Sequence, residues 1–158
     1  MTGFDFVSAA DFQRMIEAGQ FLEYREKLHG SMYGTTHAEL KRIESQGKIP
    51  VIEVDVQGAI ELNAKALEGN FLFIYPPSFE ELRKRIGNRK ETETEFKIRV
   101  ADAIKQIELA NNSVLFTNRL VNDSFDLAVD QFFTLIEALY FQEIKAKAKE
   151  MEEKKVNA

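Results

Sequence analysis

Apolar residues along this chain follow two rhythms, a spacing of three and four and short unbroken runs, and each change of rhythm marks an element. Ser8, followed three residues later by Asp11, has the form of a helix-capping pair; Phe12, Met15 and Ile16 follow at helical spacing until Gly19, which predicts a short helix. From Phe21 to Leu28 and again from Ser31 to Tyr33 the pattern alternates, with Gly30 and Gly34 as punctuation, and reads as small antiparallel strands. Thr36 with Glu39 opens a second helix carrying Leu40 and Ile43 and ending at Gly47. Pro50 introduces the β-branched run Val51–Val56, bounded by Gly58, which predicts a strand. Helical spacing returns over 59–68, closed by Gly69, and the unbroken apolar run Phe71–Tyr75 has the length of a strand buried on both faces.

Pro76 and Pro77 end that run, and Ser78 with Glu81 caps a helix to about Ile86. After a polar segment from Gly87 to Glu95, a helix over about 95–111 carries Phe96, Val100, Ala103, Ile104 and Ile107. Arg119–Val121 reads as a short strand, and Asp123 or Ser124 caps a last helix with Leu127, Phe132, Leu135, Ile136 and Leu139. The charged tail after Lys145 is expected to fray. Strand and helix alternating from residue 50 onward predict a parallel α/β sheet, because parallel strands need crossovers. No Ser/Gly-rich linker or repeat divides the chain, so it reads as one continuous unit.

Composition narrows the chemistry. A chain of 158 residues with 44% hydrophobic residues can bury a core without staples, and with no Cys it holds neither disulfides nor thiolate sites. Two His leave little for a His-built metal site. No apolar run approaches the roughly 20 residues of a membrane span, and no signal segment is visible, so a cytoplasmic protein without a membrane partner is expected. The net charge of −5 argues against nucleic-acid binding, whose affinity comes from phosphate neutralisation. Any phosphate must meet a local cluster of cations.

Four features could carry that chemistry, and each has a plainer reading beside it. Asp55 ends a hydrophobic strand, where α/β sheets place ligands, but it equally suits a helix N-cap. Arg83, Lys84, Arg85 and Arg89 crowd a helix end, with Arg99 beyond; guanidinium forks bind phosphoryl oxygens bidentately, although a basic run is commonly a solvated face. Ser31-Met-Tyr33-Gly34-Thr35 offers hydroxyls around a glycine that permits close backbone approach, as a turn also would. Glu23 is an acid amid apolar residues, able to accept two hydrogen bonds from a base edge, or an ordinary edge-strand residue.

Taken in order, the segments Phe6-Val-Ser8, Gly19–Tyr24, His29–Thr35, Ile52–Gly58, Phe71–Ser78, Arg85-Ile-Gly-Asn-Arg89 with Glu91-Thr-Glu93, and Val121-Asn-Asp123 closely resemble the guanylate kinase family. The resemblance implies a three-layer parallel sheet of the P-loop nucleoside monophosphate kinase type with a small mixed β subdomain for GMP. It implies transfer of a phosphoryl group from ATP to GMP or dGMP, with Mg²⁺ arriving with ATP and no direct protein ligand identified for it. On this resemblance Glu23 and Asp55 receive the guanine N–H groups, Thr35 bonds the guanine oxygen and Tyr33 holds the GMP phosphate. Arg85 and Arg89 correspond to lid arginines on the ATP phosphates, Arg99 to one bridging both substrates, and Asn122 to a position near adenine. The matching domain plan is a GMP subdomain over 1–36, a core over 37–86 and 96–145, a lid over 87–95 and the tail over 146–158.

The chain also departs from that pattern. Phe4 stands where the family has a second phosphate-binding Tyr, and G-x-x-x-x-G-K-[ST] occurs nowhere in the 158 residues. The expected consequence is a sheet missing its first strand and P-loop, and a chain that turns over poorly or not at all alone. The alternative expectation is a non-catalytic interaction module of the guanylate kinase-like kind, with a phosphopeptide partner at the old GMP site.

Overall fold

The structure is a computed structural model, described here for residues 4–26, 30–88, 92–146 and 149. It divides into two compact units, Met1–Leu67 and Glu68–Ala158.

The first unit begins with α1 (Ala9–Glu17), whose N-cap Ser8 accepts a hydrogen bond from the Asp11 N–H at 3.1 Å, as the capping pair requires. β1 (Phe21–Glu26) and β2 (Met32–Thr36) form the expected antiparallel pair, with a register irregularity between Phe21 and Glu23. Phe12 stacks on Phe21 with ring centroids 4.4 Å apart, fixing α1 to the pair. Gly34 is required here: a Cβ on it would meet the Glu23 carbonyl oxygen and come within 2.8 Å of Tyr24 Cβ. The close approach that this glycine permits is therefore to β1, not to a ligand. α2 (His37–Ser45) follows, capped by Thr36 through the Glu39 N–H at 3.1 Å.

Val51–Val56 is where the expected strand fails. Residues 51–55 carry no strand pairing, and Val56 is already the first residue of α3 (Val56–Ala64). β-branched residues favour an extended backbone, but a strand exists only where a neighbour completes its ladder, and none of the described residues does so. Asp55 instead caps α3, accepting the Gly58 N–H at 2.6 Å. The helix thus starts three residues earlier than periodicity suggests. It also stops before Gly69, because Ala66 takes φ 55° and the Leu67 N–H returns to the Leu62 carbonyl at 3.2 Å. Phe12, Phe21, Leu22, Val56, Ala59 and Leu62 form the unit's buried apolar set.

The second unit is built on a parallel pair, β3 (Leu72–Tyr75) and β4 (Asn118–Val121), joined through α4 (Phe79–Gly87) and α5 (Glu93–Asn112). This α/β arrangement is the expected class. The continuous apolar run at β3 is not covered on both faces, since Ile74 remains 51% exposed and β3 pairs with β4 alone. α4 is capped by Ser78. α5 begins ahead of the expected residue 95 because Thr92 and Glu95 form a reciprocal capping box. α6 (Phe125–Leu139) starts at Ser124, whose side chain makes no capping bond. Ile86, Val100, Ala110, Phe116, Leu120 and Ala128 are buried, and Phe73 meets Phe116 edge to face at 5.6 Å.

Among the described residues no helix is long and apolar enough to cross a membrane.

Candidate functional site

Side chains two apart on a strand share a face, and directly opposed residues of an antiparallel pair point to the same side. On β1 these are Glu23 and Arg25; their partners across the ladder are Thr35 and Tyr33. One face of the pair therefore carries a carboxylate, a guanidinium, a phenol and a hydroxyl. α3, which packs on β1, adds Asp55 and Glu61 to that face. Of the sequence-derived candidates, the structure brings Glu23, Tyr33, Thr35 and Asp55 together in the first unit.

Glu23 is the unusual member. It is the charged residue that lies buried among the described residues, 5% exposed. A carboxylate taken out of water normally acquires donors, because desolvating an unpaired charge is costly. Glu23 is thus a hydrogen-bond acceptor held in the interior of the unit. Tyr33, half-buried beside it, has its pKa raised, first by burial and then by the charges of Asp55 and Glu23, with Arg25 opposing. It remains a phenol at neutral pH and so a hydrogen-bond donor.

The cation that organises this face lies outside the sequence-derived candidates. The Arg25 guanidinium sits 3.4 Å from Asp55 Oδ1 through Nε and 2.9 Å from Glu61 Oε2 through Nη2, and its Nη1 donates to the Tyr24 carbonyl at 2.8 Å. Burial opposes its charge, but the two carboxylates outweigh that and raise its pKa. Glu61 is correspondingly lowered, chiefly by the Arg25 hydrogen bond. A signal for Arg25 exists in the two-residue spacing from Glu23; nothing in the sequence signals Glu61, 36 positions beyond Arg25. Lys65 closes the assembly at the other end of α3, donating to the Leu22 carbonyl at 2.8 Å.

The remaining candidates belong to the second unit. Arg85, near the end of α4, donates from Nε to Glu81 at 2.8 Å, from Nη1 to the Asn122 carbonyl at 2.6 Å and from Nη2 to the Asp123 carbonyl at 3.1 Å. Asn122 is exposed, and its N–H returns to the Tyr75 carbonyl at 2.8 Å. Arg85 and Asn122 are therefore in contact, through backbone carbonyls of the turn between β4 and α6. Arg99 lies half-buried on α5. Arg89 falls outside the described residues, with Lys90 and Glu91 of the segment expected to form a lid; of the rest, Gly87 and Asn88 close α4 and Thr92–Glu95 cap and open α5. Among the described residues no group of three or more His, Cys, Asp or Glu side chains is placed to hold a metal ion.

Comparison with known proteins gives one consistent family. A family model described as "Guanylate kinase" matches residues 2–139. The chain is 34% identical over 137 residues to a guanylate kinase of Bdellovibrio bacteriovorus, covering 86% of this chain and 72% of that one. It is 36% identical over 134 residues to a guanylate kinase of Clostridium tetani, covering 84% of this chain and 62% of that one. The crystal structure of guanylate kinase from Anaplasma phagocytophilum superposes with a TM-score of 0.64 at 23% identity, covering 87% of this chain and 68% of that one, and so shares the fold. The chain thus spans about two thirds of the length of these three proteins.

Proposed function

Because the chain belongs to the guanylate kinase family, we propose that it serves phosphoryl transfer from ATP to GMP or dGMP, with the face of β1, β2 and α3 as the GMP site. The observation that carries the reading is Glu23, a charged residue buried to 5% exposure and set on the same face as Tyr33 and Thr35. Guanine presents N–H donors on one edge, which suits Glu23 and Asp55 as acceptors; Thr35 is the group for the guanine oxygen and Tyr33 the neutral donor for the phosphate. Arg85, Arg89 and Arg99 are assigned to the phosphates of ATP and of the transferring group. Their part is positioning and charge neutralisation, since phosphoryl transfer asks little covalent chemistry of the protein. For Arg85 this requires exchanging its carbonyl partners for phosphate oxygens. Mg²⁺ enters with ATP in this reading and supplies charge neutralisation on the phosphates; no protein ligand is assigned to it.

These 158 residues contain no glycine-rich loop of the form G-x-x-x-x-G-K-[ST]. Backbone N–H groups and a Lys for the β- and γ-phosphates are therefore not supplied by them, and turnover by these residues alone is expected to be slow. The same feature favours a second reading, a non-catalytic module that takes a phosphopeptide at this face.

The test is calorimetric titration of GMP into the 158-residue chain and its Glu23→Gln variant, followed by an ADP-release assay. GMP is expected to bind, and the variant to bind about tenfold more weakly, the value of a charge-assisted hydrogen bond. No GMP binding by the parent chain would sink the GMP-site reading. Retention of phosphopeptides in its place, lost in Tyr33→Phe, would favour the second. Turnover at an ordinary kinase rate would contradict the expectation of slow catalysis.

A further inference from the structure

Asp55 has two oxygens, and the contacts shown for it among the described residues fall on one of them. Oδ1 accepts the Gly58 N–H at 2.6 Å as the cap of α3 and faces Arg25 Nε at 3.4 Å. The capping bond fixes an N-cap aspartate at one oxygen, and a second group on that oxygen restricts the direction of the other. Here the holding group is a guanidinium anchored at two further points, the Glu61 carboxylate farther along α3 and the Tyr24 carbonyl on β1. Space enforces the arrangement as well. A Cβ added at Gly58 would lie 3.0 Å from Asp55 Oδ1 and 3.3 Å from Arg25 Nη2, so the cap, the glycine and the guanidinium are packed against one another.

From this geometry we infer that Arg25 is a positioning residue for nucleobase recognition: it clamps Asp55 Oδ1 so that Oδ2 is presented in a fixed direction to the N–H edge of a guanine base. The inference rests on the GMP-site reading and adds to it the residue that gives the site its selectivity. An arginine suits the task because its planar fork bridges two carboxylates with little loss of freedom per bond, whereas a lysine offers one mobile point charge. Arg25 also offsets the negative charges of Glu23, Asp55 and Glu61 on this face, which a nucleotide bearing an anionic phosphate would otherwise meet with repulsion.

The experiment compares the affinities of guanosine and adenosine 5′-monophosphate for the 158-residue chain and for Arg25→Met and Arg25→Lys. Adenine offers no N–H donors at the positions equivalent to guanine N1 and N2, so its binding does not depend on where Asp55 points. Both ligands are titrated into one preparation, so any unfolded fraction cancels in the ratio, and a purely structural role for Arg25 would leave the ratio unmoved. The parent chain is expected to prefer GMP; Arg25→Met is expected to lose on the order of tenfold of that preference, and Arg25→Lys less. Should Arg25→Met fail to fold, the lysine variant, which keeps the charge, carries the test. Ratios within about twofold of the parent in every foldable variant overturn the inference. A parent chain that binds GMP and AMP equally would overturn the base-site reading itself, and the role of Arg25 with it.

Discussion

Arg25 in the first unit and Arg85 in the second are half-buried guanidinium groups that each join two elements, yet their partners differ in kind. Arg25 joins β1 to α3 through two carboxylate side chains. Arg85 joins α4 to the turn after β4 through two backbone carbonyls, with one neighbouring Glu. A carboxylate can be drawn to a ligand or lose its charge with pH; a turn carbonyl does neither. The first unit therefore holds its cation between two titratable carboxylates beside a buried acid, and the second holds its cation between one carboxylate and two fixed carbonyl dipoles. If both arginines act at nucleotide sites, Arg25 acts through another residue, whereas Arg85 must give up its present partners to act at all.

The largest way to test that contrast is to weaken one unit and ask whether the other follows. Leu62 is 2% exposed on the buried side of α3, and Leu62→Ala is expected to destabilise the first unit by about 2–5 kcal/mol through lost transfer energy and a residual cavity. Hydrogen exchange should accelerate in β1 and α3. Equal acceleration in β3 and β4 would mean that the two units unfold together and are not separable as regards stability.

A smaller effect is expected from Arg85→Met. Its side chain is 37% exposed, so water competes for the same carbonyls, and a loss of about 1 kcal/mol is expected. Exchange should quicken at Asn122 and Asp123 while the hydrogen-bonded amides of β1 stay protected. An unchanged turn would show that the Tyr75 carbonyl and the Asn122 N–H suffice to hold it.

The smallest effect is one of pH. Glu61 is lowered from its ordinary 4.5 mainly by Arg25, so its contribution is present above that value and is lost as pH falls through the lowered folded-state pKa. Glu61→Gln should flatten that part of the acid limb of a stability profile. Between about pH 6 and 8 it should alter stability little, because the group is part-exposed. A parent and variant with superimposable acid limbs would remove Glu61 from the network that Arg25 is said to organise.

The local punctuation of this chain is legible in the order of its residues. Ser8, Thr36 and Ser78 cap the helices that their spacing announces, because a cap needs only a side-chain oxygen and an N–H three residues away. The Thr92 and Glu95 box obeys the same rule, though the polar run around it reads first as a loop. The local pattern misleads at Val51–Val56. Its residues favour extension, but pairing is a property of a neighbour, and the strongest local signal in the segment is Asp55 as a cap. Glu23, Tyr33, Thr35 and Asp55 stand out by resemblance, and the shared face of the first three follows from strand alternation and register.

Apart from the run Val51–Val56, the sequence by itself thus determined the elements, most of their ends and the family, since these depend on spacings of two, three and four residues and on motifs read in order. Only the tertiary structure decided that Arg25 meets Asp55 and Glu61, that Glu23 is buried, and that Arg85 faces carbonyls. The physical reason is the range of the interactions. Caps and alternation are fixed by covalent geometry within a turn or a pleat, whereas an ion pair across 30 residues depends on where packing leaves two backbones, and many sequences with the same local pattern would leave them elsewhere.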